Sequence, residues 1–86
     1  MKRSSYAVWW HEGNGPRYVG KCEIARLHAL LSGNGSKRLA VPLDEITGVE
    51  YQRGEVHIDR RGAPPLRIGS LDAPGSLREL AHSLDY

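Results

Sequence analysis

The chain has 86 residues, of which 40% are hydrophobic and 26% charged, and its formal charge is +2 at neutral pH. That length holds a single domain over 1–86 with a small core. The charge is too near zero to point to nucleic acid or an anionic membrane. A lone Cys22 excludes an internal disulfide. No apolar run approaches the roughly 20 residues of a membrane span. Met1-Lys2-Arg3 is not followed by the apolar stretch of a secretory signal. A soluble, cytoplasmic protein is the expectation.

Residues 1–5 are polar and read as a flexible N-terminus. Tyr6 to His11 is a first strand, with Tyr6, Val8 and Trp10 on one face and Ala7, Trp9 and His11 on the other. Glu12 to Pro16 is a loop, because Gly and Asn tolerate positive φ and Pro cannot donate to a ladder. Arg17 to Ile24 is a second strand and Leu27 to Leu31 a third. The stretch 23–32 also suits a helix, since Ile24, Leu27 and Leu31 lie at i, i+3 and i+7. Strands are favoured, because Ser32-Gly33-Asn34-Gly35-Ser36 has the composition of a hairpin tip.

Lys37 to Leu43 is a fourth strand, with Pro42 marking an edge or terminus. Ile46 to Gln52 and Glu55 to Arg60 are the fifth and sixth, joined by a tight turn at Arg53-Gly54. Arg61 to Pro65 reads as a loop and Leu66 to Ser70 as a seventh strand. The period then changes. Leu77, Leu80, Ala81 and Leu84 fall at helical spacing behind Ser76, which forms a capping box with Glu79, so a helix is expected over 76–84.

This order resembles the pleckstrin-homology-like fold, and local phrases are similar to bacterial PH-like and GRAM-type domains. Val19-Gly20-Lys21-Cys22-Glu23-Ile24 resembles their second strand. Val41 to Val49 resembles their "IPL-x-x-I-x-x-V" segment, and Leu77-Arg78-Glu79-Leu80-Ala81 their closing helix. The resemblance covers nearly the whole chain from Tyr6. It implies a mainly β protein, a PH-like barrel of about seven antiparallel strands capped by one C-terminal helix. It speaks for fold and hardly for function.

Phosphoinositide-binding PH domains cluster bases around the first hairpin. Here that hairpin offers Arg17, with Glu12 beside it, and then Lys21, a poor phosphate cradle. Arg60 and Arg61, with Arg53 and Arg67 near in sequence, make a modest basic region that Glu50, Glu55 and Asp59 dilute. Trp9 and Trp10 must point to opposite faces. Trp9 is on the less apolar face and is the candidate exposed ring, either an interface anchor or packed on a neighbouring loop or long side chain.

His11, His28, His57 and His82 have no metal-ligand spacing, and Cys22 has no CxxC partner and reads as a core residue. Gly13-Asn14-Gly15 and Gly33-Asn34-Gly35 read as hairpin turns, because neither carries the GK[ST] of a phosphate loop. No catalytic group, metal or cofactor is expected. A small enzyme would need a pocket, and a sheet-surface cleft pairing His57 with a carboxylate is where it would be sought. The expectation is a non-catalytic interaction module binding a protein or peptide through Trp9, Arg17, Lys21, Arg60 and Arg61, as a monomer or weak homodimer. The alternative is an anionic ligand, a membrane headgroup or nucleic acid, on the same bases.

Overall fold

Seven runs with alternating buried and exposed side chains form seven strands, and the one run with helical spacing forms the helix. The computed structural model describes residues 5–71 and 74–84, apart from the side chains of 74–76 and 83. The expected flexible start lies outside the described residues except for Ser5, which opens the first strand. The elements are β1 (Ser5–Glu12), β2 (Tyr18–Ile24), β3 (His28–Gly33), β4 (Lys37–Pro42), β5 (Ile46–Gln52), β6 (Glu55–Arg60), β7 (Ala63–Ser70) and α1 (Pro74–Leu84). The stretch 23–32 is therefore strand and turn. Short 3-10 turns link β3 to β4 and β4 to β5.

All pairings are antiparallel, in the order β4-β3-β2-β1-β7-β6-β5. Consecutive hairpins build β1 to β4 and β5 to β7. The two halves meet where Val8–Glu12 of β1 pairs with Leu66–Ser70 of β7. The hydrogen-bonded order stops at β4 and β5, so the expected barrel is not closed. This open, mainly β architecture with one C-terminal helix is consistent with a PH-like fold.

The inner face gathers Tyr6, Val8 and Trp10 of β1, Cys22, Leu31, Val41, Val56, Ile58, Leu66 and Ile68 into one core. Leu77, Leu80 and Leu84 of α1 complete it, all buried. A buried Leu is worth roughly 1.5–3 kcal/mol, so the helix is part of the core rather than an appendage. It packs on β5, β6 and β7. It begins at Pro74, two residues before the expected start, which puts Ser76 inside the first turn; the Ser76 side chain lies outside the described residues.

Trp10 is fully buried, and a buried indole N–H needs an acceptor. It donates to the Ser32 carbonyl at 2.9 Å. That carbonyl comes so close to β2 that a Cβ on Gly20 would lie 2.0 Å from it. Gly20 is thus the residue that lets the Ser32 carbonyl occupy this position.

Pro64 and Pro65 lie within β7, not in a loop as the sequence predicts. The pairing of β6 with β7 shifts register between Ile58 and Arg60. Beside these prolines β1 has reached its end, and Gly13 N–H reaches across to the Pro65 carbonyl at 2.8 Å. A bulge next to a vacated edge is where a strand tolerates residues without a donor.

Candidate functional site

Of the five expected binding residues, Trp9 and Arg17 are in contact, Lys21 lies on β2, and Arg60 and Arg61 lie at the end of β6. Trp9 lies flat over β7, where a Cβ on its cross-strand neighbour Gly69 would fall 2.0 Å from the indole. The Arg17 guanidinium sits over the same ring, 4.1 Å from its centroid, and His11 lies parallel beside it at 6.1 Å. The indole is half-buried among these groups, which is the packing alternative to an open anchor.

Arg60 is occupied. Its side chain is 6% exposed, its Nη2 lies 2.6 Å from Glu12 Oε2, and the guanidinium also donates to the Pro64 carbonyl. The sequence sets Glu12 beside Arg17; the β1–β7–β6 pairing brings it to Arg60 instead. Lys21 pairs with Glu23 at 3.0 Å, both half-exposed. Arg61 is exposed in the β6–β7 turn. Arg53 lies in the β5–β6 turn, at the other end of β6, roughly 20 Å away at about 3.3 Å per residue.

A surface depression of about 430 Å³ is lined by Gln52, Arg53, Glu55, His57 and Arg67. In it His57 Nε2 approaches Glu55 Oε1 at 3.3 Å, and Arg67 Nε lies 3.7 Å from the same oxygen. This is an imidazole oriented by a carboxylate, with no hydroxyl or thiol among the lining residues to act as nucleophile. The one thiol, Cys22, faces the core, and its pKa is pushed up to about 12 by burial and then by the charge of Glu23. A protonated, buried thiol is inert. Among the described residues no group of three or more His, Cys, Asp or Glu could hold a metal ion, and no helix is long and apolar enough to cross a membrane.

The larger opening lies where the sheet fails to close. Arg26, Leu27, His28, Pro42, Leu43, Asp44 and Ile46 line a groove of about 800 Å³. Leu27 is 68% exposed there, and its carbonyl accepts from Leu43 N–H at 3.0 Å. The groove meets β4 at its last residue, Pro42. Sequence reasoning missed it, because Leu27 has the hydropathy of a core residue and only the tertiary path puts it outside.

The edge has a definite phase. The Leu27–Leu43 bond continues the register in which Ala29 faces Val41 and Leu31 faces Leu39. Hydrogen-bonded and non-hydrogen-bonded pairs alternate in an antiparallel ladder. Leu39 and Val41 therefore bond toward β3, while Arg38, Ala40 and Pro42 turn their backbone groups to the open side.

No family model and no curated protein matches the chain. Among solved structures it is similar to the C-terminal domain of an unknown protein from Leishmania infantum, with a TM-score of 0.75 at 12% identity, over 98% of this chain and 84% of that one. At that identity the likeness speaks for the fold alone.

Proposed function

We propose that the protein is a non-catalytic, PH-like interaction module of the bacterial cytoplasm, docking an extended segment of a protein partner along β4 and into the Leu27–Leu43–Ile46 groove. The observation that carries this reading is the asymmetry of the sheet: α1 packs on the β5 side, whereas among the described residues β4 pairs only with β3. An added strand gains main-chain hydrogen bonds from Arg38 and Ala40, and the groove offers apolar specificity. The occupied state of Arg60 and the Lys21–Glu23 pair weaken the anionic alternative.

Amide NMR tests it with three probes: extended peptides selected by display, inositol hexakisphosphate and a short oligonucleotide. The reading expects peptides to slow hydrogen exchange at Arg38 and Ala40 and to shift Leu27 and Leu43. Shifts from the anionic probes alone, at Arg17, Lys21 or Arg61, would replace it with anion recognition. Leu27→Ser should weaken peptide binding while changing stability by no more than about 0.5 kcal/mol.

A further inference from the structure

Directly opposed residues of antiparallel strands turn their side chains to the same face. His11 of β1 stands opposite Arg67 of β7, and Arg67 stands opposite His57 of β6. The three form one row across the outer face of the sheet, with the arginine between two imidazoles. Neighbouring strands lie about 4.8 Å apart, so the two imidazoles spring from positions about 10 Å apart. With Asp59 and the Gly13–Asn14 loop, the row lines a surface concavity of about 490 Å³.

The fixed charges around this row cancel. Arg17 lies over Trp9, the ring beside His11, and Arg53 and Arg67 line the adjoining depression. Against these stand Asp59 in the concavity, Glu55 beside His57 and Glu50, the cross-strand neighbour of His57. The charge of this face is therefore set by the two imidazoles.

Each imidazole has one nitrogen engaged. His11 Nδ1 lies 3.1 Å from the Gly13 carbonyl, and His57 Nε2 lies 3.3 Å from Glu55 Oε1. A carbonyl and a carboxylate only accept, so these nitrogens carry the proton of the neutral ring. Acid adds a second proton at His11 Nε2 and at His57 Nδ1. Imidazoles ordinarily take it up near about pH 6.5. The row then holds three cations side by side, an arrangement that costs stability unless a counter-charge joins it.

We infer that this concavity is an acid-gated binding site for a tetrahedral oxyanion of the phosphate or sulfate kind, held by the Arg67 guanidinium and the two imidazolium rings. Hydrogen bonds between ionised partners are roughly twice as strong as neutral ones. Arg67 is half-exposed beside Glu55, open to such a ligand. Above neutrality the rings are uncharged, the fixed charges balance, and the anion leaves. The site shares no lining residue with the groove at Leu27, so it stands apart from the docking reading.

Sulfate is the probe, because its charge is the same at about pH 5.5 and about pH 8, either side of the imidazole range. Side-chain NMR of the full chain follows the imidazole and guanidinium signals as sulfate is added, against sodium chloride at matched ionic strength. The expected result is shifts localised at His11, His57 and Arg67 at the lower pH, with a dissociation constant about tenfold or more larger at the higher pH. Arg67→Gln should weaken binding about tenfold at the lower pH, and His11→Gln should also flatten the dependence on pH. Neither residue belongs to the core, so both variants keep the fold.

No binding at the lower pH overturns the proposal. So does equal affinity at both pH values, a set of shifts that chloride reproduces, or a pair of variants that bind sulfate as the unaltered protein does.

Discussion

The two faces of β1 carry adjacent tryptophans held by opposite means. Trp10, on the inner face, is fixed by backbone: its N–H binds the Ser32 carbonyl and Gly20 makes room for that carbonyl. Trp9, on the outer face, is fixed largely by side chains, with Arg17 above and His11 alongside, over the bare surface of Gly69. Backbone cannot swing away from a clash, whereas an indole at the surface can. The same residue type at neighbouring positions is therefore a structural keystone on one face and a movable cover on the other.

Trp10→Ala tests the contrast most strongly. It should cost about 3–5 kcal/mol in denaturant unfolding, because it leaves a cavity and strips the Ser32 carbonyl of its donor. That is a large part of the roughly 5–15 kcal/mol that a domain has. A loss below about 1 kcal/mol would mean that the inner face can collapse around the gap.

The glycines come next. Gly20→Ala should cost about 1–3 kcal/mol, since the new methyl meets a backbone carbonyl. Gly69→Ala should cost less, with a change in Trp9 fluorescence as the indole shifts off β7. Equal losses at the two sites would erase the distinction between backbone and side-chain support.

Cys22, the cross-strand neighbour of Tyr6, reports on the inner face through pH. Its folded pKa is raised to about 12 from 9.0, so the thiol favours folding fully below pH 9. That contribution is lost as pH rises from about 9 to 12. By pH 10 the protein should lose about 1 kcal/mol that Cys22→Ala does not lose. Parallel alkaline profiles for the two proteins would show that the thiol ionises in place.

The smallest effect is on the outer face. Arg17→Ala should cost about 0.5–1 kcal/mol, the usual worth of an exposed cation–π contact. It should also expose Trp9 to collisional quenchers. Unchanged quenching would mean that Arg17 does not shield the ring.

The assignment of the two tryptophans was legible because alternation in a half-buried strand states which side chain turns inward. So were the bounds of β5 and β6, set by alternating residues around a turn whose Arg53 and Gly54 both take positive φ. The start of β7 was not legible: Pro64 and Pro65 read as a breaker, and only the bulge opposite Ile58 and the end of β1 make room for them. The ion pair of Arg60 with Glu12 was also hidden, because it joins residues far apart in sequence across three strands. Leu27 shows the same limit, since hydropathy does not say which end of a curled sheet stays open.

The joint between β1 and β7 has a consequence for how the chain assembles. Each half is a run of hairpins that closes through near-neighbour contacts, while Val8–Glu12 and Leu66–Ser70 must find each other across most of the sequence. Closing that long loop carries the largest entropic cost and belongs to the slow part of folding. Cleavage in the link at 43–45 would sever no strand. The two pieces, if they recombine, would turn that step into a bimolecular one, with a rate set by how often one half-sheet meets the other.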